Sequence, residues 1–239
     1  RVVVKRSGEV GVVQIAHKTP SATHPDHAPL EVVSTILSTG KTSRLYRALI
    51  DKNLAIGVES SKGFFRDPFL FNTTVMLAPG VTHEQAEKAV LAELERIKAD
   101  GVSEAEVTTA INKILAGIAF GRDGSFAIAG QLNEAIAVGD WTIYSTLLDR
   151  IAAVKAADVQ RVAKSYFNED QSTTGWFMPQ AELTGKALGQ TGNGGTRTGY
   201  SRSVHQSPHH YRDQESPATM TARGTAAARG LGAAAGSAS

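Results

Sequence analysis

The chain has 239 residues, a formal net charge of +2, 20% charged residues and no cysteine. The missing cysteines exclude disulfides, thiolate nucleophiles and cysteine-based zinc sites, and they leave the redox compartment undetermined. Residues 181–239 hold six basic side chains (Lys186, Arg197, Arg202, Arg212, Arg223, Arg229) against three acidic ones (Glu182, Asp213, Glu215), so residues 1–180 carry −1. A body this close to neutral lacks the clustered Lys and Arg that phosphates require, and no nucleic-acid partner is expected.

Composition divides the chain near Pro179. Residues 181–239 contain no Ile, Phe or Trp and no apolar period, which predicts a low-complexity, disordered tail after a domain over residues 1–180. No apolar run approaches the roughly 20 residues that cross a bilayer, and no signal-peptide core is visible, so no membrane span is expected. The start, Arg1-Val2-Val3-Val4-Lys5, has no initiator Met and suggests a fragment of something longer.

Along the chain, the β-branched run Val10 to Lys18 reads as a mostly buried strand that Thr19-Pro20-Ser21-Ala22 ends. Asp26 precedes a helix whose face is Leu30, Val33 and Leu37, running to Gly40. A second helix starts near Ser43, with Leu45 and Leu49 one turn apart. Ala55 to Lys62 and Phe69 to Leu77 have period two, with Ile56 and Val58 and then Phe69, Phe71, Val75 and Leu77 on the covered face; they predict adjacent strands. Thr82 to Gln85 and Ser103 to Glu106 have the form of capping boxes. The first opens a helix with Ala86, Val90, Leu94 and Ile97 inside, stopped at Gly101; the second continues through Val107, Ile111, Ile114 and Ile118. A further helical pattern with Phe126, Ala129, Leu132 and Ile136 ends at Gly139. Segments around Ile143 to Ile151 and Asp158 to Phe167, then a strand at Thr173 to Met178, finish the domain. This order predicts an α+β class: a mainly antiparallel sheet with helices packed on one face.

Candidate chemistry is sparse. Gly40-Lys41-Thr42 resembles the end of a phosphate loop, but the first required glycine falls on Thr35 and the preceding run is helical. A lysine after a helix C-terminus meets the negative end of the dipole, which disfavours phosphate. His24 and His27 form the one metal-like pair, without the third ligand that zinc needs, so no metal is expected in this chain and the pair stands only as a weak alternative. His205, His209 and His210 lie in the tail, and Ser43, Ser60 and Ser61 lack a Gly-x-Ser-x-Gly context. No catalytic residue emerges from the residues themselves.

Leu37 to Leu49 with Leu54-Ala55-Ile56-Gly57-Val58, Gly139-Asp140-Trp141 through Val154, and Asp158 to Phe167 together resemble the C-terminal, non-catalytic domain of insulinase/pitrilysin-type zinc metallopeptidases, the family of mitochondrial processing peptidase. The resemblance covers about residues 8–179. It implies a domain that walls a closed chamber for peptides, inactive as an isolated chain. Its partner would be a catalytic domain or half of the same peptidase, in cis or as a subunit. Zinc is implied for that catalytic domain, which carries His-x-x-Glu-His; the motif does not occur here. By the same resemblance Ser43, Arg44, Tyr46, Gly57 and Glu59 would face substrate. The Arg and Tyr that some family domains aim at a zinc site fall on Ile50 and Ile56, so no transition-state role is expected. A structural assembly module of the same fold, without peptidase activity, is the alternative. Bacterial relatives lean the compartment toward the periplasm.

Overall fold

The two period-two segments become strands with the expected bounds, β3 (Ala55–Lys62) and β4 (Phe69–Leu77), paired antiparallel. The computed structural model describes residues 1–180; the tail expected at 181–239 lies outside the described residues. β2 (Val12–Thr19) pairs antiparallel with β4 on one side and with β5 (Ser172–Pro179) on the other. A strand that the sequence reading missed, β1 (Val2–Arg6), runs parallel to β5, giving the sheet order β1-β5-β2-β4-β3. The sheet is therefore mainly antiparallel with one parallel edge pair.

Side-chain alternation separates the two faces. Val13, Ile15 and His17 of β2 and Phe71, Thr73 and Val75 of β4 are each at most 2% exposed. Their neighbours Gln14, Lys18 and Met76 point the other way and are exposed. Helices cover the first face. α1 (His27–Ser38) lies along β3, and α2 (His83–Asp100) and α6 (Ala156–Tyr166) pack on β2. α3 (Glu104–Phe120) and α5 (Ile143–Ala152) back α1, and α4 (Ser125–Ala137) packs on α5.

Local sequence explains most helix ends. Thr82 and Ser103 each accept from the N3 backbone N–H while Gln85 and Glu106 reach back, so both capping boxes close; such a cap contributes about 1 kcal/mol. Gly101 ends α2 at φ 75°, a value that costs a side chain energy. The expected inner face of α2 is correct: Ala86, Val90, Leu94 and Ile97 are at most 2% exposed. Fully burying a side chain such as Leu49 or Phe71, both 0% exposed, contributes about 1.5–3 kcal/mol.

The structure adds three details. Asp26 precedes α1 as expected, but its carboxylate caps nothing; it accepts from Arg161 Nη2 at 2.7 Å and Tyr166 Oη at 2.8 Å, tying α1 to α6. The second helix closes as a π-turn, Tyr46–Ile50, with the Asp51 N–H donating to the Tyr46 carbonyl. The apolar stripe of α4 turns largely outward: Phe126 is 93% and Ile136 56% exposed, while Ala135 and Val138 turn inward. With Phe120 at 82% and Trp141 at 63%, they leave an apolar surface over residues 120–141.

Candidate functional site

The joint from Ser38 to Glu59 was expected to present five residues to substrate, and the structure divides them. Ser43 is 4% exposed and its Oγ has no partner among the described residues. Arg44 is engaged internally: its guanidinium donates to both oxygens of Glu106 at 2.8 and 3.0 Å and to the Gly101 carbonyl at 3.2 Å. The hydrogen bond from Arg44 is the largest cause holding the Glu106 carboxyl near 2, below its usual 4.5. Arg44 thus fastens the joint to the start of α3, on the helix side. The bidentate ion pair engages the fork of Arg44 within the domain, and Ser43 beside it is buried. Tyr46 is half-buried at the head of the π-turn.

Gly57 and Glu59 lie elsewhere. A bulge between Ala55 and Gly57 shifts the alternation of β3, so Val58 and Ser60 face the helices and Gly57 and Glu59 lie on the bare face. There they pair in register with Met76 and Thr74 of β4. Gln14 and Asn72 continue the same surface, joined by a 3.3 Å hydrogen bond. The bulge also overturns the covered position expected for Ile56, which is 56% exposed, while Phe69 at the strand start is 43% exposed. Ile50 is half-buried against the core.

The zinc implied for a catalytic domain finds no donor set here. His24 Nδ1 already accepts from the Asp26 backbone N–H at 3.1 Å. His27 is 5% exposed, and its ring nitrogens contact the Lys62 ammonium. A ring facing a cation in the interior cannot also face a metal, so the pair His24 and His27 is discarded as ligands. Among the described residues no group of three His, Cys, Asp or Glu could hold an ion. No described helix is long and apolar enough to cross a membrane.

Sequence reading missed three features. The Asp26–Arg161–Tyr166 cluster joins residues more than 130 positions apart. Burial raises the Asp26 carboxyl, but the Arg161 and Tyr166 hydrogen bonds outweigh it and hold its pKa below the usual value. The group Lys62, His27 and Glu31 lines a cavity of about 280 Å³ between α1, α3 and α5. For the outward apolar side chains at residues 120–141, periodicity was visible in sequence and direction was not.

Comparison with known proteins agrees with this architecture. Residues 1–114 match the peptidase M16 inactive domain model. A zinc protease of Helicobacter pylori, PqqE, is 28% identical over 179 residues, which are 74% of this chain and 40% of that protein. The chain therefore spans about two-fifths of that relative. A solved Bordetella pertussis protein, assigned as a zinc protease, is 31% identical with a TM-score of 0.66, covering 72% of this chain and 94% of that one. The inactive peptidase domain of a Bordetella parapertussis protein of the same assignment superposes with a TM-score of 0.69 at 29% identity, over 77% and 99% of the two chains. By sequence and fold together, the chain belongs to the peptidase M16 inactive-domain family.

Proposed function

We propose that this domain forms part of the wall of a peptide-binding chamber in a zinc peptidase whose metal site lies in another domain, and that the chain alone cleaves nothing. The observation that carries the reading is the bare sheet face. Gln14, Asn72, Thr74 and Glu59 put polar side chains on one face, with Met76 beside Gly57, and among the described residues no helix covers it, in a domain otherwise built as two layers. Extended peptide meets such a surface through scattered hydrogen-bonding groups without demanding one sequence.

The apolar surface at residues 120–141 supports the second half of the reading. Large apolar side chains left exposed can mark contact sites for other proteins, and Phe120, Phe126, Ile136 and Trp141 are each more than half exposed. The zinc-bearing domain of the same peptidase is the proposed occupant, attached in cis or as a subunit. The relatives named above are bacterial, and the reading adds the periplasm as its compartment, which osmotic-shock fractionation of the source cells tests.

Photocrosslinking tests the wall directly. Benzoylphenylalanine at Thr74, on the bare face, is compared with the same group at Lys88, exposed on the helix side, in the chain bound to the companion domain that carries His-x-x-Glu-His. The reading expects peptide captured at position 74 and not at 88. Equal capture at both, or none at 74, favours the assembly-module alternative.

A further inference from the structure

Lys62 is a buried lysine that the proposed chamber does not use. The inward register of β3, in which Lys62 pairs with Phe71, carries its stem beneath α1. The side chain is 3% exposed, and Nζ lies 2.6 Å from His27 Nδ1, touches Nε2 of the same ring, and sits 3.4 Å from Glu31 Oε2. An ammonium has three donors to satisfy. A neutral imidazole supplies one lone pair, and Glu31, the one carboxylate within 4 Å among the described residues, is 38% exposed. Taking such a cation out of water is costly.

Burial lowers the Lys62 amine from 10.5 to about 8, with Glu31 opposing the fall. Burial, then the charges of Lys62 and Arg150, lower His27 to about 3, so the ring stays neutral and orients Nζ without competing for its proton. Arg122, which follows α3, and Glu134 of α4 face the same cavity. The space measures about 280 Å³, at the small end of ligand-sized cavities, and Phe64, Ile114, Ile118, Leu147 and Ile151 supply apolar walls.

We propose that this cavity captures small apolar aldehydes, with Lys62 Nζ as the nucleophile that forms a Schiff base. The Nζ lone pair attacks the carbonyl carbon while the C=O π pair moves to oxygen. That oxygen takes the proton shed by Nζ, giving a carbinolamine. The C–O bond then breaks, the second Nζ hydrogen leaves with the hydroxyl as water, and a C=N bond remains. The step is a condensation and needs no oxidant or reductant. Three features favour it: a desolvated amine of which about a tenth is unprotonated at pH 7, walls that are partly apolar, and room for a short hydrocarbon.

The test uses the full chain with 3-methylbutanal and sodium cyanoborohydride at pH 8, and reads the reductive alkylation of each lysine by peptide mass spectrometry. At that pH about half of an amine titrating near 8 is free, against roughly 1 in 300 at 10.5. Allowing for restricted entry, Lys62 should be alkylated about 10-fold faster than the exposed Lys52 and Lys88, with a rate midpoint near pH 8. 1-Pyrenecarboxaldehyde, apolar but too large for a space of about 280 Å³, should lose that preference. The comparison is internal to one folded chain, so it needs no substituted protein. Labelling of Lys62 no faster than Lys52, or equal preference with the pyrene aldehyde, overturns the proposal.

Discussion

Replacing His17 by leucine separates two consequences of burying an imidazole in the sheet–helix core. His17 is 2% exposed, Nδ1 has no partner among the described residues, and the ring packs edge-on against Phe167 at 5.1 Å. Burial, aided by the charge of Lys98, lowers its pKa from 6.5 to about 4. The folded state therefore refuses a proton that the unfolded chain accepts, and stability falls as pH drops from 6.5 toward 4. At pH 5 this term is about 2 kcal/mol. His27 acts with the same sign over a window reaching about 3. Wild type should thus lose about 4 kcal/mol between pH 7 and pH 5 from the two rings, and His17→Leu about half of that. At pH 7 the variant should be more stable by about 1 kcal/mol, because a buried polar atom without a partner has been removed and leucine keeps the volume filled. Urea unfolding followed by the fluorescence of Trp176, 8% exposed, measures both effects; a 2 kcal/mol difference moves the midpoint by about 1 M. If His17→Leu loses as much stability as wild type between pH 7 and 5, the ring is not buried neutral and the packing of β2 described above is wrong.

Other substitutions probe the joint and the outer surface. Glu106→Gln keeps the capping geometry of α3 but removes the charge opposite Arg44. It should cost about 1 kcal/mol at pH 7, and the difference from wild type should vanish as pH falls from 4.5 toward 2, since the carboxylate contributes only while ionised. Guanidinium titrations at pH 7 and pH 3 read this out, and a constant difference would contradict the ion-pair role. Phe126→Ser alters a side chain that is 93% exposed, so thermal stability should change by no more than about 0.5 kcal/mol. Binding to the zinc-bearing companion domain, measured by calorimetry, should weaken at least about tenfold. Unchanged binding would remove residues 120–141 from the interface.

Much of this fold is legible because local chemistry decides it. Thr82 and Ser103 start helices through bonds made within three residues, and Ala55–Lys62 and Phe69–Leu77 declare themselves by alternation across a short connection. The failures are non-local. Val2 to Val4 form a strand only because β5 arrives beside them after more than 160 residues, and as an exposed edge they show no alternating burial. The bulge at Ala55/Gly57 inverts Ile56, which periodicity had placed inside. Period-3.6 spacing located α4 but could not say which surface would meet its apolar stripe. The site fared less well than the fold: Arg44 reads as an available cation until Glu106, distant in sequence, is placed against it.

The central claim is that catalysis belongs to another domain. Zinc content by mass spectrometry, taken with hydrolysis of a quenched peptide library by the purified full chain, tests it most directly. The account predicts far less than one zinc per chain and no chelator-sensitive turnover. One zinc per chain with hydrolysis abolished by chelation and restored by zinc would contradict it.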